Sequence, residues 1–153
     1  MATTGCKFTT NKLTHNSNSW DLRSSNTQAI VVGDAAEEAV NCGTFNNIVP
    51  ELFVLGSEEK SVQVWDMRMP ENYLNEMNHH DSQVTCIEWH PTKSQICVSG
   101  SDDGKVYVWD NSKNGEEQAR KDYDDGPPEM IFPHVMHNSQ IEDVAFCPAV
   151  AGR

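Results

Sequence analysis

Three Trp-Asp pairs stand at Trp20-Asp21, Trp65-Asp66 and Trp109-Asp110, spaced 45 and 44 residues apart. A spacing this regular restricts the chain to architectures made of one repeated unit, each unit burying its apolar face against a neighbour. A second matching set lies at residues 40–45 (VNCGTF), 84–89 (VTCIEW) and 141–146 (IEDVAF). The first two are 44 apart and the third lies 57 further on, which marks an insertion before it.

Within each unit, short apolar runs alternate with turn residues. Residues 52–57 (LFVLGS) and 96–101 (ICVSGS) end in Gly-Ser, while 61–66 (SVQVWD) and 105–110 (KVYVWD) alternate with the period of two that marks strands. Between them, Ser101-Asp102-Asp103-Gly104 carries the Asp-Gly signal of a tight hairpin. No window sustains a helical period. The chain reads as all-β, with about eleven short antiparallel strands, and the length of its unit is that of a four-stranded propeller blade.

The second full unit resembles WD repeats. It reads His80, then VTCIEWHP at 84–91 and VSGSDDGKVYVWD at 98–110. The resemblance implies a hydrogen-bonded chain through His80, Ser99, Asp103 and Trp109, a buried polar network that rigidifies a blade when every member is satisfied. The first full unit departs from the pattern. Ala36 stands where the His belongs, Leu55 where the Ser belongs and Glu59 where the turn Asp belongs, so that blade is expected to depend on packing around Trp65.

The units divide the chain into the end of a preceding blade and a linker (1–35), a degenerate WD repeat (36–76), a WD repeat with an acidic inserted loop at 111–129 (80–132), and the start of a further repeat (133–153). The fold expected is thus a partial WD-repeat β-propeller. It holds about two whole four-stranded blades, the last two strands of one before them and an opening strand at 141–146. This is less than half of a ring of about seven blades. Exposed strand edges at both ends are expected to keep an isolated copy from behaving as a compact, cooperative monomer.

Composition narrows the partners. A formal charge of −12, from 23 acids against 11 bases, excludes an electrostatic grip on phosphates and favours basic proteins or tails over nucleic acid. The five cysteines form no C-x-x-C pair, and Cys42, Cys86 and Cys97 fall inside apolar runs, as small buried hydrophobes do in a reducing compartment. The first twenty residues lack an apolar signal region, and no stretch is long enough to span a bilayer, so a soluble intracellular chain is expected.

The inserted segment, GEEQARKDYDDGPPEMIF at 115–132, is the most specific stretch. It resembles the acidic double-proline loop of the WD-repeat histone-binding proteins of the Msi and retinoblastoma-binding type. WDLRSSNTQ at 20–28 and VNCGTFN at 40–46 resemble the same proteins two blades upstream. The resemblance implies a scaffold subunit of nuclear chromatin assembly or modifying complexes, also found in the cytoplasm, that grips a basic helix of a core histone. Asp122, Asp124, Asp125, Pro127, Pro128 and Phe132 would form the receptor, joined in the family by an N-terminal helix that this sequence lacks. Acids beside apolar residues can hold a basic amphipathic helix by charge-assisted bonds and burial together. A second family site, on the propeller face, maps onto Asn41, Gln83 and Thr85, with Glu142 added by equivalence of position. Gln83 and Thr85 stand where the family has an acid and an aromatic.

Two other readings compete. VTCIEWHP also resembles the glutamate-rich WD proteins of ribosome assembly. WDLR at 20–23 and WDMR at 65–68 resemble the box by which WD proteins dock on the adaptor of a cullin ubiquitin ligase, with Arg23 and Arg68 as docking residues. An enzyme is not expected. The Ser, His and Asp of the tetrad lack a G-x-S-x-G nucleophile turn and already serve the blade. No cofactor is expected either, and no metal, because His79-His80 and His134/His137 have no carboxylate or thiol at ligand spacing.

Overall fold

The computed structural model describes residues 6–11, 16–21, 28–32, 39–69, 71–115 and 126–147, the first three stretches by backbone alone. These residues form three antiparallel sheets. The first contains β1 (Cys6–Asn11), β2 (Asn16–Asp21) and β3 (Gln28–Val32) in that order. The second contains β4 (Val40–Phe45), β5 (Leu52–Ser57), β6 (Ser61–Asp66) and β7 (Asn75–Asn78). The third contains β8 (Val84–Trp89), β9 (Ile96–Ser101), β10 (Val106–Asp110) and β11 (Met130–His134). One 3-10 turn, Asn111–Lys113, follows the third Trp-Asp pair, its N-cap Asp110 accepting from the Ser112 amide. The chain is part of a β-propeller, each four-stranded sheet being one blade.

Two expectations are corrected. The region before residue 36 holds three strands, not two. Residues 141–146 form no strand, because among the described residues no neighbour offers them a ladder of backbone partners. They lie instead along the third sheet, as described below.

Strand alternation builds the core. In the middle sheet Val54, Val62, Val64 and Met77 point one way, onto Val84, Ile87, Trp89, Cys97, Tyr107 and Trp109 of the third sheet. Phe53, Leu55 and Trp65 point the other way and cluster with Val40, Phe45 and Met67. Both faces of this sheet are therefore covered, and every residue of β6 is buried. The sheets follow one another with β1 packed on β4 and β5 on β8.

The close approach of successive sheets depends on glycine. A Cβ on Gly56 would lie 2.6 Å from Val84 Cγ1 and 2.7 Å from Cys42 Sγ; one on Gly100 would lie 2.6 Å from Ile141 Cγ2 and 2.8 Å from Cys86 Sγ. Each small thiol thus covers the glycine of the adjacent strand while the first residue of the next unit rests on it. Burial pushes the Cys97 thiol up to about 12, and burial together with the nearby Cys86 pushes Cys42 up to about 12. These groups are free thiols that pack as hydrophobes; Cys147 is exposed.

Candidate functional site

The third sheet carries a continuous polar chain. Trp109 Nε1–H donates to Ser99 Oγ at 2.8 Å, His80 Nε2 lies 2.8 Å from the same hydroxyl, and His80 Nδ1 lies 3.2 Å from Asp103 Oδ2. His80, Ser99 and Trp109 are fully or nearly fully buried. Burial holds the His80 pKa below its ordinary value, against the pull of Asp103, so the ring is neutral. One assignment then satisfies every atom. The indole donates to the hydroxyl, the hydroxyl donates to Nε2, and Nδ1–H donates to the carboxylate. Burial raises the Asp103 carboxyl, but the Asp81 and Lys105 amides (2.8 Å each) and His80 outweigh it and hold it low. Lys105 also pairs with the Asp81 side chain.

The same register in the middle sheet holds no such chain. Leu55 replaces Ser99, and the buried Trp65 Nε1 has no hydrogen-bond partner. Aromatic packing takes over. Phe53 stacks on Trp65 at 6.3 Å, Tyr73 meets Trp65 edge-on at 5.9 Å, and Phe45 lies 6.0 Å from Phe53. In the β5–β6 turn Ser57 Oγ accepts from the Glu59 amide and lies 3.0 Å from Ser61 Oγ, as Ser101 Oγ accepts from the Asp103 amide in the third sheet.

The propeller-face residues are tied sideways. Asn41 Nδ2 donates to Gln83 Oε1 (3.1 Å) and to the Val84 carbonyl (3.2 Å), and Gln83 Nε2 reaches Asp102 at 3.5 Å. Thr85, at the position of Asn41 in the next unit, donates to the Ile141 carbonyl. Each second residue of an inner strand thus holds the first residue of the following unit. Glu142 is exposed beside this row. Its neighbour Ile141 is buried, with its amide 3.0 Å from the Ser101 carbonyl, and the Phe146 amide donates to Glu88 Oε2 at 2.6 Å. Glu88 was not anticipated from sequence, where it is one charge inside a strand.

Of the β10–β11 loop, Asp122, Asp124 and Asp125 lie outside the described residues. Gly126 has φ +106°, and Pro127 and Pro128 are half-buried. A turn closes from the Met130 amide to the Pro127 carbonyl at 2.9 Å, and the Asp110 amide donates to the Glu129 carbonyl at 2.7 Å. The loop therefore returns to β11 at a fixed point, and Ile131 and Phe132 emerge there about half exposed. Arg68 folds back on Asp66, with Nε 2.9 Å from Oδ1 and Nη2 2.5 Å from Oδ2, and keeps 70% of its side chain exposed. Arg23 lies outside the described residues.

Repeated four-stranded sheets, a Trp-Asp at the end of each third strand and the His–Ser–Asp–Trp chain define a partial WD-repeat β-propeller. Residues 71–110 match the family of the WD domain, G-beta repeat. The chain resembles WD-repeat proteins described as histone acetyltransferase type B subunit 2. It is 31% identical to that of Candida glabrata over 131 residues, 86% of this chain and 30% of the relative. With the Debaryomyces hansenii protein of the same description it shares 27% over 170 residues, 94% of this chain and 41% of the relative. The chain spans less than half the length of either relative.

Proposed function

We propose that this chain is a histone-binding WD-repeat scaffold, a non-catalytic part of a nuclear chromatin complex, and that its 115–132 loop receives a basic histone helix. The observation that carries the reading is the similarity to histone acetyltransferase subunits over 86% of the chain. Three features support it. The charge of −12 suits a basic partner. The Gly126-Pro127-Pro128 return gives the preceding acids a fixed base. Ile131 and Phe132 offer apolar surface beside it. Ser99, His80 and Asp103 form a closed structural chain with Trp109, which argues for a scaffold and against a hydrolase. A second, weaker face for basic tails would present Glu142 and Gln83, with Asn41 and Thr85 holding the adjoining unit in place beneath it.

Calorimetry with a core-histone helix peptide at two salt concentrations tests the loop. The double change Asp124→Asn, Asp125→Asn keeps volume and removes charge. At about 1.5–3 kcal/mol per charge-assisted bond, affinity should fall by about a hundredfold or more, and less at high salt. Affinity within about twofold of the parent at low salt would reduce the loop to solvated surface.

Docking on a cullin ligase adaptor is a second reading, favoured by the exposed Arg68 guanidinium that Asp66 holds in place. Pull-down with the adaptor should weaken on Arg68→Ala; unchanged capture would reduce the motif to repeat grammar.

A further inference from the structure

The sequence holds one Asn-Gly step, Asn114-Gly115, where the acidic 115–132 segment begins. Among the residues whose side chains are described, two Asn-Ser steps also occur, Asn111-Ser112 and Asn138-Ser139. An asparagine is chemically labile when the amide nitrogen of the next residue can reach its side-chain carbonyl carbon. Reach needs a free side chain, a free amide and room around the next residue. The structure distributes these unequally.

Asn111-Ser112 is locked on both sides. Asn75 Nδ2 donates to Asn111 Oδ1 and lies 3.4 Å from the Asn111 carbonyl oxygen. The Ser112 amide, which would have to attack, donates to Asp110 Oδ1 at 3.0 Å, inside the 3-10 turn that Asp110 caps. The Asn111 amide is held as well, 2.8 Å from the Gln95 carbonyl. Asn114-Gly115 lacks these restraints. No described residue bonds the Asn114 side chain or the Gly115 amide. The angles φ −61° and ψ 126° at Asn114, with φ +80° at Gly115, are those of the middle of a type II turn. That positive φ suits glycine, and the place where Gly115 would carry a Cβ has no atom within 4 Å. Asn114 can therefore turn away from ψ 126° and bring its side chain over the Gly115 nitrogen without displacing a neighbour.

We propose that Asn114 is a site of spontaneous deamidation in the folded chain. The Gly115 nitrogen gives its proton to hydroxide and bonds to Asn114 Cγ. The Cγ–Nδ2 bond breaks, and Nδ2 takes a proton from water and leaves as ammonia. The product is a cyclic imide, which water opens at either of its carbonyls. Opening at Cγ leaves an aspartate; opening at the backbone carbonyl leaves an isoaspartate, with the chain running through the former side chain. Water is consumed, ammonia is released and one negative charge is gained, with no oxidation or reduction. Residues 115–132 already set six acids against two bases, and conversion adds a carboxylate at their entry. The site stands whatever that segment binds.

Hydroxylamine, which captures the imide and cuts the chain there, is the direct probe. In a mildly alkaline buffer it should split the folded 153-residue chain between Asn114 and Gly115. In chain aged without it, peptide mass spectrometry should show Asn114 converting at least about tenfold faster than Asn111. Gly115→Ala crowds the attacking nitrogen and should slow conversion at least about tenfold. Asn75→Ala frees Asn111 and should speed its conversion while leaving that of Asn114 unchanged. Urea removes both restraints at Asn111, so it should narrow the gap between the two asparagines. An Asn114 that stays intact in the folded chain overturns the proposal, whether or not it converts in urea. So does a gap between Asn114 and Asn111 that urea leaves as it was.

Discussion

The middle and third sheets share a register and are held by different forces. The third sheet contains a polar chain in which each buried donor meets an acceptor, from Trp109 through Ser99 and His80 to Asp103. The middle sheet has Leu55 at the Ser99 position and leaves Trp65 Nε1 unpaired, yet it is the more thoroughly buried, with both faces covered. An orphaned indole costs on the order of 1–3 kcal/mol. Burying Leu55 and stacking Phe53, Trp65 and Tyr73 offsets that at roughly 2 kcal/mol per large side chain. A repeat can lose its polar network if its place in the array supplies apolar cover on both sides.

That contrast breaks most visibly at the matched positions. In urea melts Leu55→Ala should cost about 2–5 kcal/mol, because it opens a cavity in a fully covered face. Ser99→Ala removes little volume but leaves Trp109 Nε1 and His80 Nε2 without partners, so it should cost roughly 1–3 kcal/mol for each. A loss for Leu55→Ala below about 1 kcal/mol would mean that the middle sheet is not held by packing.

The turn acids sharpen the contrast at the next scale. Asp103→Ala should cost roughly 1–3 kcal/mol, since it strips acceptors from His80 and from two backbone amides. Glu59 is exposed in its turn, so Glu59→Ala should change stability by less than about 0.5 kcal/mol. Equal losses would show that the two turns do the same work.

Acid should separate the sheets as well. His80 is neutral when folded because burial lowers its pKa below 6.5, so between that depressed value and 6.5 the unfolded chain binds the extra proton. Its contribution is complete above about pH 6.5 and is lost as pH falls. Asp103, also held low, contributes above 3.8 and loses that contribution only further into acid. The parent should therefore melt earlier at about pH 5.5 than at about pH 7.5, and His80→Gln should flatten the difference. A slope unchanged in the variant would place the titrating group elsewhere.

The smallest expected effect is a gain. Lys60 sits at φ +70°, where the third sheet has Gly104 at φ +75°. Lys60→Gly should stabilise the chain by about 0.5–1 kcal/mol in the same melts, by relieving left-handed backbone strain. Gly104→Ala should do the reverse, because its Cβ would also lie 2.6 Å from the His137 carbonyl oxygen.

Sequence made the inner architecture legible because its signals are local. The alternation of SVQVWD and KVYVWD and the Gly-Ser endings set β5, β6, β9 and β10 to within a residue. The four residues of the polar chain could be picked out because the Trp-Asp period carried the resemblance from unit to unit. The strands whose positions it did not mark lack those signals. β7 reads NEMN, a polar edge strand with one buried residue, and β1 reads CKFTTN without clean alternation. IEDVAF failed in the other direction: its pattern is that of a strand, but a strand exists only where a ladder partner does, and pattern is blind to that. The sideways ties of Asn41 and Thr85 were hidden for a related reason. Both contact a unit more than forty residues away, and no local signal distinguishes such a tie from an open binding surface.

The two glycines at the sheet junctions act as the molecule's protractor. At Gly56 and Gly100 a single absent methyl group lets a β-branched residue of the next unit sit against the backbone, and that contact sets the wedge angle between one blade and the next. Angles around a circle must add to a full turn, so a few degrees gained at one junction have to be given back at others. A methyl at Gly56 would therefore act as an error in curvature more than as a local clash. Its effect should be felt first where β8 packs on β5, the approach that Gly56 sets.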